Sequence, residues 1–401
     1  MIGTFMHDTW SLPVDVIAGR NRFIEGQNAT AYLVFPDVES AKRVLAAKDA
    51  FVLAEAFMNG VFDIEGDLHA AVKIKETFYA ERLSLFDRGR IVLNVARNYK
   101  FHSIGNDAKF ISQHYDHPDE FYRLFLGESM TYSCAYFADN NDSLDVAQEQ
   151  KISHLMAKLQ LKPGDRLLDV GCGWGALAVR AARDRGANVL GITLSKKQHK
   201  YANNLIHNLG LEKSCQVKLM DYRELKDEQF DKIVSVGMYE HVGSKNLGIY
   251  FKKIHDLLRP DGLFVNHGIT RKIFPEWRRV PEAIFINRHI FPGGELHSPS
   301  RIMDEMERAG FEVYDVESLR KHYDKTLRCW LDNLQKNSAA ARKLISEKIF
   351  RAWLIYLASC AMTFAEGYMN VHQFSGSKTP AFGGREIPMT RDYLYNKTIP
   401  P

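Results

Sequence analysis

Between Leu167 and Gly175 the chain reads LLDVGCGWG, an apolar run that meets three glycines at alternate positions. Gly171, Gly173 and Gly175 carry no Cβ, so a turn built from them lets a ligand approach the backbone closely. At the carboxyl end of the first strand of an open parallel sheet, such a turn borders the crevice that receives nucleotides. Asp169, two residues before the first glycine, is placed to order the turn and its waters. The spacing is GxGxG rather than the GxGxxG of dinucleotide folds, whose last glycine packs a helix against a pyrophosphate. It favours S-adenosylmethionine over NAD as the nucleoside cofactor.

Glu240 and His241 follow the apolar run KIVSVGM in MYEHVG. An isolated Glu-His pair is commonly a solvated loop or a helix-capping carboxylate, but the end of a strand directs one of the two side chains into the crevice. His267 stands at the end of the next strand, in FVNHGI, and Gly268 beside it frees the backbone to present amide groups. Cys134 in MTYSCAYF and Tyr323 in HYDKTLRCW read, by themselves, as core: cysteine is commonly buried as a small hydrophobe, and an aromatic run packs.

The elements that must position these residues alternate from Leu161 onward. RLLDV, NVLGITL, CQVKLMD, FDKIVSVGM and GLFVNHGI read as strands, with helices at Ala176 to Arg185, Lys196 to Asn208 and near Lys245 to Leu258. This is the periodicity of a doubly wound α/β sheet, and its right-handed crossovers bring Thr193, Asp221, Glu240 and His267 to one rim. From Arg301 to Asn370 the chain reads as largely helical, broken at HYDKTLRCW, and these helices are expected to cover the site. Between Val38 and Leu83 an apolar helical pattern leads into a short strand bracketed by Gly60 and Gly66, then another helix, a small α+β unit. The polar, His- and Asn-rich stretch from Asn94 to Asp119 reads as a linker, with a boundary near residue 110.

Composition narrows the possibilities. A chain of 401 residues exceeds the size at which one core usually stops growing. The net charge of +4 arises from 53 basic and 49 acidic residues, well mixed, which is too mild to imply nucleic-acid binding but allows weak attraction to an anionic lipid surface. Five cysteines without a CxxC spacing indicate neither a disulfide framework nor a zinc site, and fit a reducing cytoplasm. The N-terminus has no secretory pattern, and the apolar stretch Ala352 to Ala365 is too short to span a bilayer, so it reads as a buried or interfacial helix.

HYDHPDEFYRLFLGESMTYSCAYF, LLDVGCGWGALA, GITLSKKQ, FDKIVSVGMYEHVG, NHGI and HYDKTLRCW occur in that order. Together they resemble the cyclopropane-fatty-acyl-phospholipid synthases, within the cyclopropane and mycolic acid synthase family of S-adenosylmethionine-dependent methyltransferases. LAEAFMNGVFDIEGDL resembles the small N-terminal lipid-associated domain of the bacterial phospholipid enzymes, which the mycolic acid enzymes generally lack. The resemblance implies a Rossmann-like class I methyltransferase domain over residues 111–401, with helical additions covering the site, and a small α+β lipid-associated domain over residues 1–110. It implies that Cys134, Glu240, His267, the backbone at Ile269 and Tyr323 hold a bicarbonate ion acting as general base. Cofactor contacts carried over fall on Tyr132, Ser133, Asp169, Gly171, Cys172, Gly173, Thr193, Leu194, Ser195, Gln198, Asp221 and Tyr222. The second strand ends in Thr193-Leu194-Ser195, without the acidic residue that usually grips the ribose hydroxyls, and Gln198 is the expected substitute. The implied partners are unsaturated membrane phospholipids at the inner face of the membrane and a second copy of the chain, as a homodimer.

A cis double bond is a poor nucleophile, so it needs a methyl sulfonium held in line with its π face, and such positioning is worth roughly 7–11 kcal/mol. The resulting carbocation wants a dry site and aromatic faces, each worth about 2 kcal/mol when desolvated; Tyr132, Tyr136, Phe137, Tyr239 and Trp330 are candidates. Loss of one proton from the new methyl then closes a cyclopropane ring. Loss of a different proton gives a methylene chain, and reduction a methyl branch. A small-molecule N-methyltransferase is a further reading, though it would not need the N-terminal unit, and a lipid carrier without activity is the non-enzymatic one.

Overall fold

The computed structural model describes residues 13–80, 117–226, 228–273, 280–378 and 387–395. Its first sheet has four strands, β1 (Val14–Ala18), β2 (Asn21–Ile24), β3 (Ala31–Phe35) and β4 (Asp63–Gly66), in the order β2-β1-β3-β4. Ala31, Leu33 and Phe35 alternate inward along β3, the period of a strand with one buried face. Among the described residues four helices accompany the sheet: α1 (Val38–Leu45), α2 (Ala50–Met58), α3 (Leu68–Ala71) and α4 (Lys75–Ala80). Asp37, Asp49 and Asp67 each start a helix by accepting a backbone N–H that would otherwise lack a partner. The sequence reading found α1, α2 and β4 but none of the three strands before them. The expected boundary near residue 110 and most of the expected linker lie outside the described residues.

The second sheet has seven strands: β5 (Arg166–Val170), β6 (Asn188–Thr193), β7 (Cys215–Leu219), β8 (Phe230–Val236), β9 (Leu258–Arg271), β10 (Phe311–Ser318) and β11 (Met369–Lys378). Their order is β10-β11-β9-β8-β5-β6-β7, with β11 antiparallel to both of its neighbours and β5 to β9 mutually parallel. The helices are α5 (Asp119–Leu126), α6 (Leu144–Lys158), α7 (Ala176–Arg185), α8 (Lys196–Asn208), α9 (Leu247–Leu257), α10 (Val280–His289), α11 (Pro299–Arg308), α12 (Arg320–Lys336), α13 (Ser338–Leu344), α14 (Glu347–Ala365) and α15 (Asp392–Tyr395). The alternation read from sequence is therefore a doubly wound sheet.

Three expectations need correction. β9 runs on to Arg271, so His267 lies inside a strand and not at its end. The region after Arg301 contains β10 and β11, while HYDKTLRCW is no break: it forms part of the continuous helix α12. Tyr323, Thr326, Leu327, Trp330, Leu331 and Leu334 make the buried stripe of that helix, at the spacing an amphipathic helix demands whatever its aromatic content. The stretch at Ala352 is a mostly buried helix, as expected: it belongs to the 19-residue α14, whose length and composition alone would suffice to cross a membrane.

α14 packs against α12 and against α2 and α3 of the N-terminal unit. One apolar cluster accordingly runs from Val14, Leu33 and Phe57 through Phe121 and Phe125 to Trp330, Trp353 and Leu357. Polar contacts fix the junction. Arg351 on α14 donates to the carbonyls of Phe57 and Phe62, pairs with Asp63, and places its guanidinium 5.1 Å from the centre of the Phe57 ring. Lys75 lies 2.7 Å from Glu282 of α10, and His289 pairs with Glu55.

Candidate active site

Two cavities meet at the carboxyl ends of β5, β6, β8 and β9. The first, of about 140 Å³, is walled by the glycine turn and by Thr193, Leu194, Gln198, Asp221 and Tyr222. Gly171, Gly173 and Gly175 have φ of 78°, 57° and 89°, a region that side-chain-bearing residues rarely adopt. Their roles divide. A Cβ on Gly171 would meet Met238, and one on Gly175 would meet Ala202 of α8, whereas one on Gly173 would meet nothing within 4 Å. Gly173 is thus the glycine that leaves ligand space, and the other two let protein pack. Cys172 lines the cavity, its Sγ lodged where a Cβ on Gly191 would have to go.

Around this cavity the side chains hold one another. Thr193 donates to the Gln198 carbonyl at 2.9 Å, so what Gln198 offers a ligand is its NH₂, a donor, where a carboxylate would offer only acceptors. Ser195 does not line the cavity; it caps α8 by accepting the Gln198 N–H. It therefore positions Gln198. Asp221 is bound through both oxygens by Arg223, at 2.8 and 2.7 Å, and Arg223 joins it in the wall. Asp169 is 2% exposed and one of its oxygens has no partner. Burial pushes its carboxyl up to about 7, partly countered by the cation of Lys151.

Lys151, which the sequence reading passed over, is buried in the same wall with Nζ 2.7 Å from Ser133 Oγ. Burial lowers its ammonium to about 8. Gln148, Lys151, His154 and Lys158 are all buried on α6, and a polar face at helical spacing ordinarily signals solvent. That is why the pattern concealed a lysine facing the crevice.

The second cavity, of about 380 Å³, shares Tyr132, Ser133 and Gly237 with the first. All five positions that the resemblance assigned to the reaction centre line it: Cys134, Glu240, His267, Ile269 and Tyr323. The rest of its wall is largely apolar, including Ile286, Phe291, Leu327, Phe364 and Val371. Glu240 and His241 sit on a 3-10 turn after β8 and part there: Glu240 faces the second cavity, and His241 the first, stacked on Phe291 at 4.2 Å.

Glu240 is 2% exposed. Its Oε1 accepts the Ile269 N–H at 2.7 Å, while Oε2 has no partner. Burial pushes this carboxyl up to about 7 against the lowering effect of that hydrogen bond. The Ile269 carbonyl accepts from the Tyr239 hydroxyl at 2.6 Å, so both backbone groups of Ile269 are engaged with protein; its amide orients Glu240. Gly268 has a role other than the expected one. A Cβ there would lie 2.1 Å from the Tyr239 ring, so the glycine admits that ring.

His267 accepts at Nδ1 from the Gln373 amide of β11, 3.2 Å away, which leaves its proton on Nε2. Burial, then the cations of Lys151 and Lys158, hold the imidazole neutral, well below its usual range. Tyr323 is buried and its hydroxyl is held far above its ordinary range, so it remains a donor. Burial likewise keeps the Cys134 thiol protonated, and its Sγ–H faces the carbonyl of Ala135. Of the aromatic candidates, only Tyr132 lines this cavity. Tyr136 is stacked between His154 and His322, Phe137 lies beside His322, Tyr239 serves Ile269, and Trp330 packs against Tyr132 and Tyr323. Phe291, Tyr356, Phe364 and Tyr368 supply the aromatic faces instead.

Compared with known proteins, residues 102–374 match the family described as mycolic acid cyclopropane synthetase. A probable fatty acid methyltransferase of Pseudomonas putida is 43% identical over 347 residues, covering 86% of this chain and 86% of that protein. Cyclopropane mycolic acid synthase 1 of Mycobacterium tuberculosis is 40% identical over 278 residues, covering 67% of this chain and 96% of that protein. The crystal structure of mycolic acid cyclopropane synthase CmaA1 complexed with SAH and CTAB is similar with a TM-score of 0.65 at 39% identity, covering 68% of this chain and 98% of that one.

Proposed function

We propose, because the chain belongs to the mycolic acid cyclopropane synthetase family, that it converts cis-unsaturated acyl chains of membrane phospholipids into cyclopropane chains. Its fold is that of the class I methyltransferases, and it is an S-adenosylmethionine-dependent methyltransferase. The observation that carries the finer reading is the largely apolar cavity of about 380 Å³ joined at Tyr132, Ser133 and Gly237 to the glycine-turn cavity. A small amine needs no such wall; a hydrocarbon chain does.

S-adenosylmethionine, when bound, supplies an electrophilic methyl group, and a bicarbonate ion would supply a base that is not free water. The residues present fit an anion. Glu240 Oε2 is buried without a partner and carries a proton below about pH 7. His267 presents Nε2–H and Tyr323 an un-ionised hydroxyl, so three donors border one cavity. None of the three is suited to take a proton itself at neutral pH except Glu240 once ionised. The chain's part is to hold the double bond against the cofactor cavity, exclude water that would trap a cation as an alcohol, and keep these donors in place.

Membrane action is supported by the rim: Arg271 and Lys272 wall the cavity beside Ile273, which is 61% exposed. The test is incubation with methyl-labelled S-adenosylmethionine and vesicles of cis-unsaturated phospholipid. Chains heavier by one methylene with cyclopropane ring protons support the reading. An olefinic or branched product changes the product but keeps the transfer, and no label in lipid defeats the proposal. Loss of rate in bicarbonate-free buffer, restored by bicarbonate, is expected; full activity there would make a side chain the base.

A further inference from the structure

A third cavity, of about 40 Å³, lies where the N-terminal unit docks. Leu53, Ala54 and Phe62 wall it from one side, and Phe285, Ile286 and Tyr356 from the other. Ile286 and Tyr356 also wall the large cavity of the reaction centre, so the two spaces adjoin at these side chains. Apart from Lys75, Glu282 and Ser359 its wall is apolar, and apolar cavities accept hydrocarbon.

These two side chains are held in place from both sides. Lys75 of the N-terminal unit and Glu282 of α10 form a buried ion pair, 2.7 Å apart with side chains 4% and 11% exposed. A pair so buried contributes little net stability, but it fixes geometry. Glu282 and Ile286 are four residues apart, one above the other on a helix face, so the docked unit places Ile286. Tyr356 is tied by its hydroxyl to Tyr132 at 3.2 Å.

We propose that the small cavity receives the methyl end of the acyl chain, and that the N-terminal unit thereby sets the longest chain the enzyme accepts. The polar end has its own place: Arg271 and Lys272 stand by exposed Ile273 at the rim of the large cavity. At the far side Lys75 and Glu282 pair their charges, and the rest of the wall is apolar but for Ser359, so hydrocarbon is the fitting occupant. This inference rests on the acyl-chain reading above.

The experiment uses the full chain, labelled S-adenosylmethionine, and phosphatidylglycerol vesicles that mix cis-unsaturated chains of graded length, with products resolved by mass spectrometry. Ala54→Phe fills the small cavity and Leu53→Ala widens it; neither residue lines the cofactor cavity or the reaction centre. Ala54→Phe is expected to lower the ratio of long-chain to short-chain product by about fourfold per methylene excluded. Leu53→Ala is expected to raise that ratio, and both should bind cofactor as the parent does. Unchanged ratios in both variants would overturn the proposal. If Ala54→Phe fails to fold, as loss of cofactor binding would reveal, the direction of the Leu53→Ala shift decides. Absence of labelled lipid from the unmodified protein at every chain length would instead refute the acyl-chain reading.

Discussion

The hydroxyls of Tyr132 and Tyr356 stand 3.2 Å apart although 224 residues separate them in the chain. Tyr132 walls both the cofactor cavity and the reaction centre, and Tyr356 walls the reaction centre and the junction cavity. One hydrogen bond thus links all three spaces. Tyr356→Phe keeps the ring and removes the bond, at a cost of about 1 kcal/mol. Thermal unfolding should show a small drop, and steady-state kinetics a lower kcat with cofactor affinity retained; a loss confined to cofactor affinity would contradict the link.

Glu240 bears its proton up to about pH 7 because it is buried. If its donor role sustains the reaction, turnover declines as pH rises through 7 and the carboxyl ionises. Glu240→Gln, a donor that does not titrate, should abolish that alkaline limb, while Glu240→Ala should lower kcat by roughly 10²–10³-fold with cofactor affinity almost unchanged. A pH–rate profile of the Gln variant matching that of the parent would assign the titration elsewhere.

Asp169 is also raised to about 7 by burial in the cofactor cavity. A ligand carrying positive charge favours the ionised carboxylate, so binding below that pH must expel a proton. Cofactor affinity should therefore increase from pH 6 to pH 8, by about tenfold per pH unit at most on the acid side. Calorimetry in buffers of different ionisation enthalpy should count the released proton near pH 6. In the free protein the sign is opposite for stability: the folded state retains protons at Asp169 and Glu240 that the unfolded chain gives up. Their contribution is largest below the ordinary carboxylate range and is lost as pH rises through 7.

Gly268→Ala would put a Cβ against the Tyr239 ring, 2.1 Å from its nearest atom. The ring must move, breaking its bond to Ile269 and disturbing the amide that orients Glu240. Overpacking of this kind costs about 1–3 kcal/mol. Chemical denaturation should register that loss, with turnover falling further than stability alone explains. A variant as stable and as active as the parent would show that the ring relaxes freely.

Arg351→Ala removes the guanidinium that joins α14 to Phe57, Phe62 and Asp63. Cofactor binding should be preserved, since no cofactor-cavity residue is touched. Activity on phospholipid vesicles should fall several-fold. Equal vesicle activity would mean that docking does not depend on this arginine.

Much of the catalytic half was legible because its signals are local. The glycine turn follows directly on β5, and Glu240 directly on β8, so strand periodicity was enough to send both to the crevice. Lys151 and Gln373 were missed because nothing local marks them: one lies on a helix face that mimics a solvated one and the other reaches His267 from another strand, while Arg223, bound to Asp221 two residues away, reads in sequence as an ordinary exposed cation. The aromatic wall failed for the same reason. Tyr136 and Trp330 are close in sequence to the reaction centre's residues, yet Tyr136 is taken up between His154 and His322 and Trp330 stands behind Tyr132 and Tyr323; Phe291, Phe364 and Tyr368 come from distant stretches. In α12 the aromatic content of HYDKTLRCW obscured an ordinary helical stripe. β1 to β3 are short, and β2 is mostly exposed, so their apolar pattern gave little to read.

The apolar cluster that joins Val14 and Leu33 to Trp330, Trp353 and Leu357 ties the N-terminal sheet and the reaction-centre helices into one cooperative melting unit. Heat or denaturant should remove the N-terminal sheet and the reaction-centre helices in a single transition, since separating them would lay the faces of α2 and α14 open to water. Damage far from the chemistry, in β1 or β3, would then register as fewer active molecules, each surviving one turning over at its normal rate.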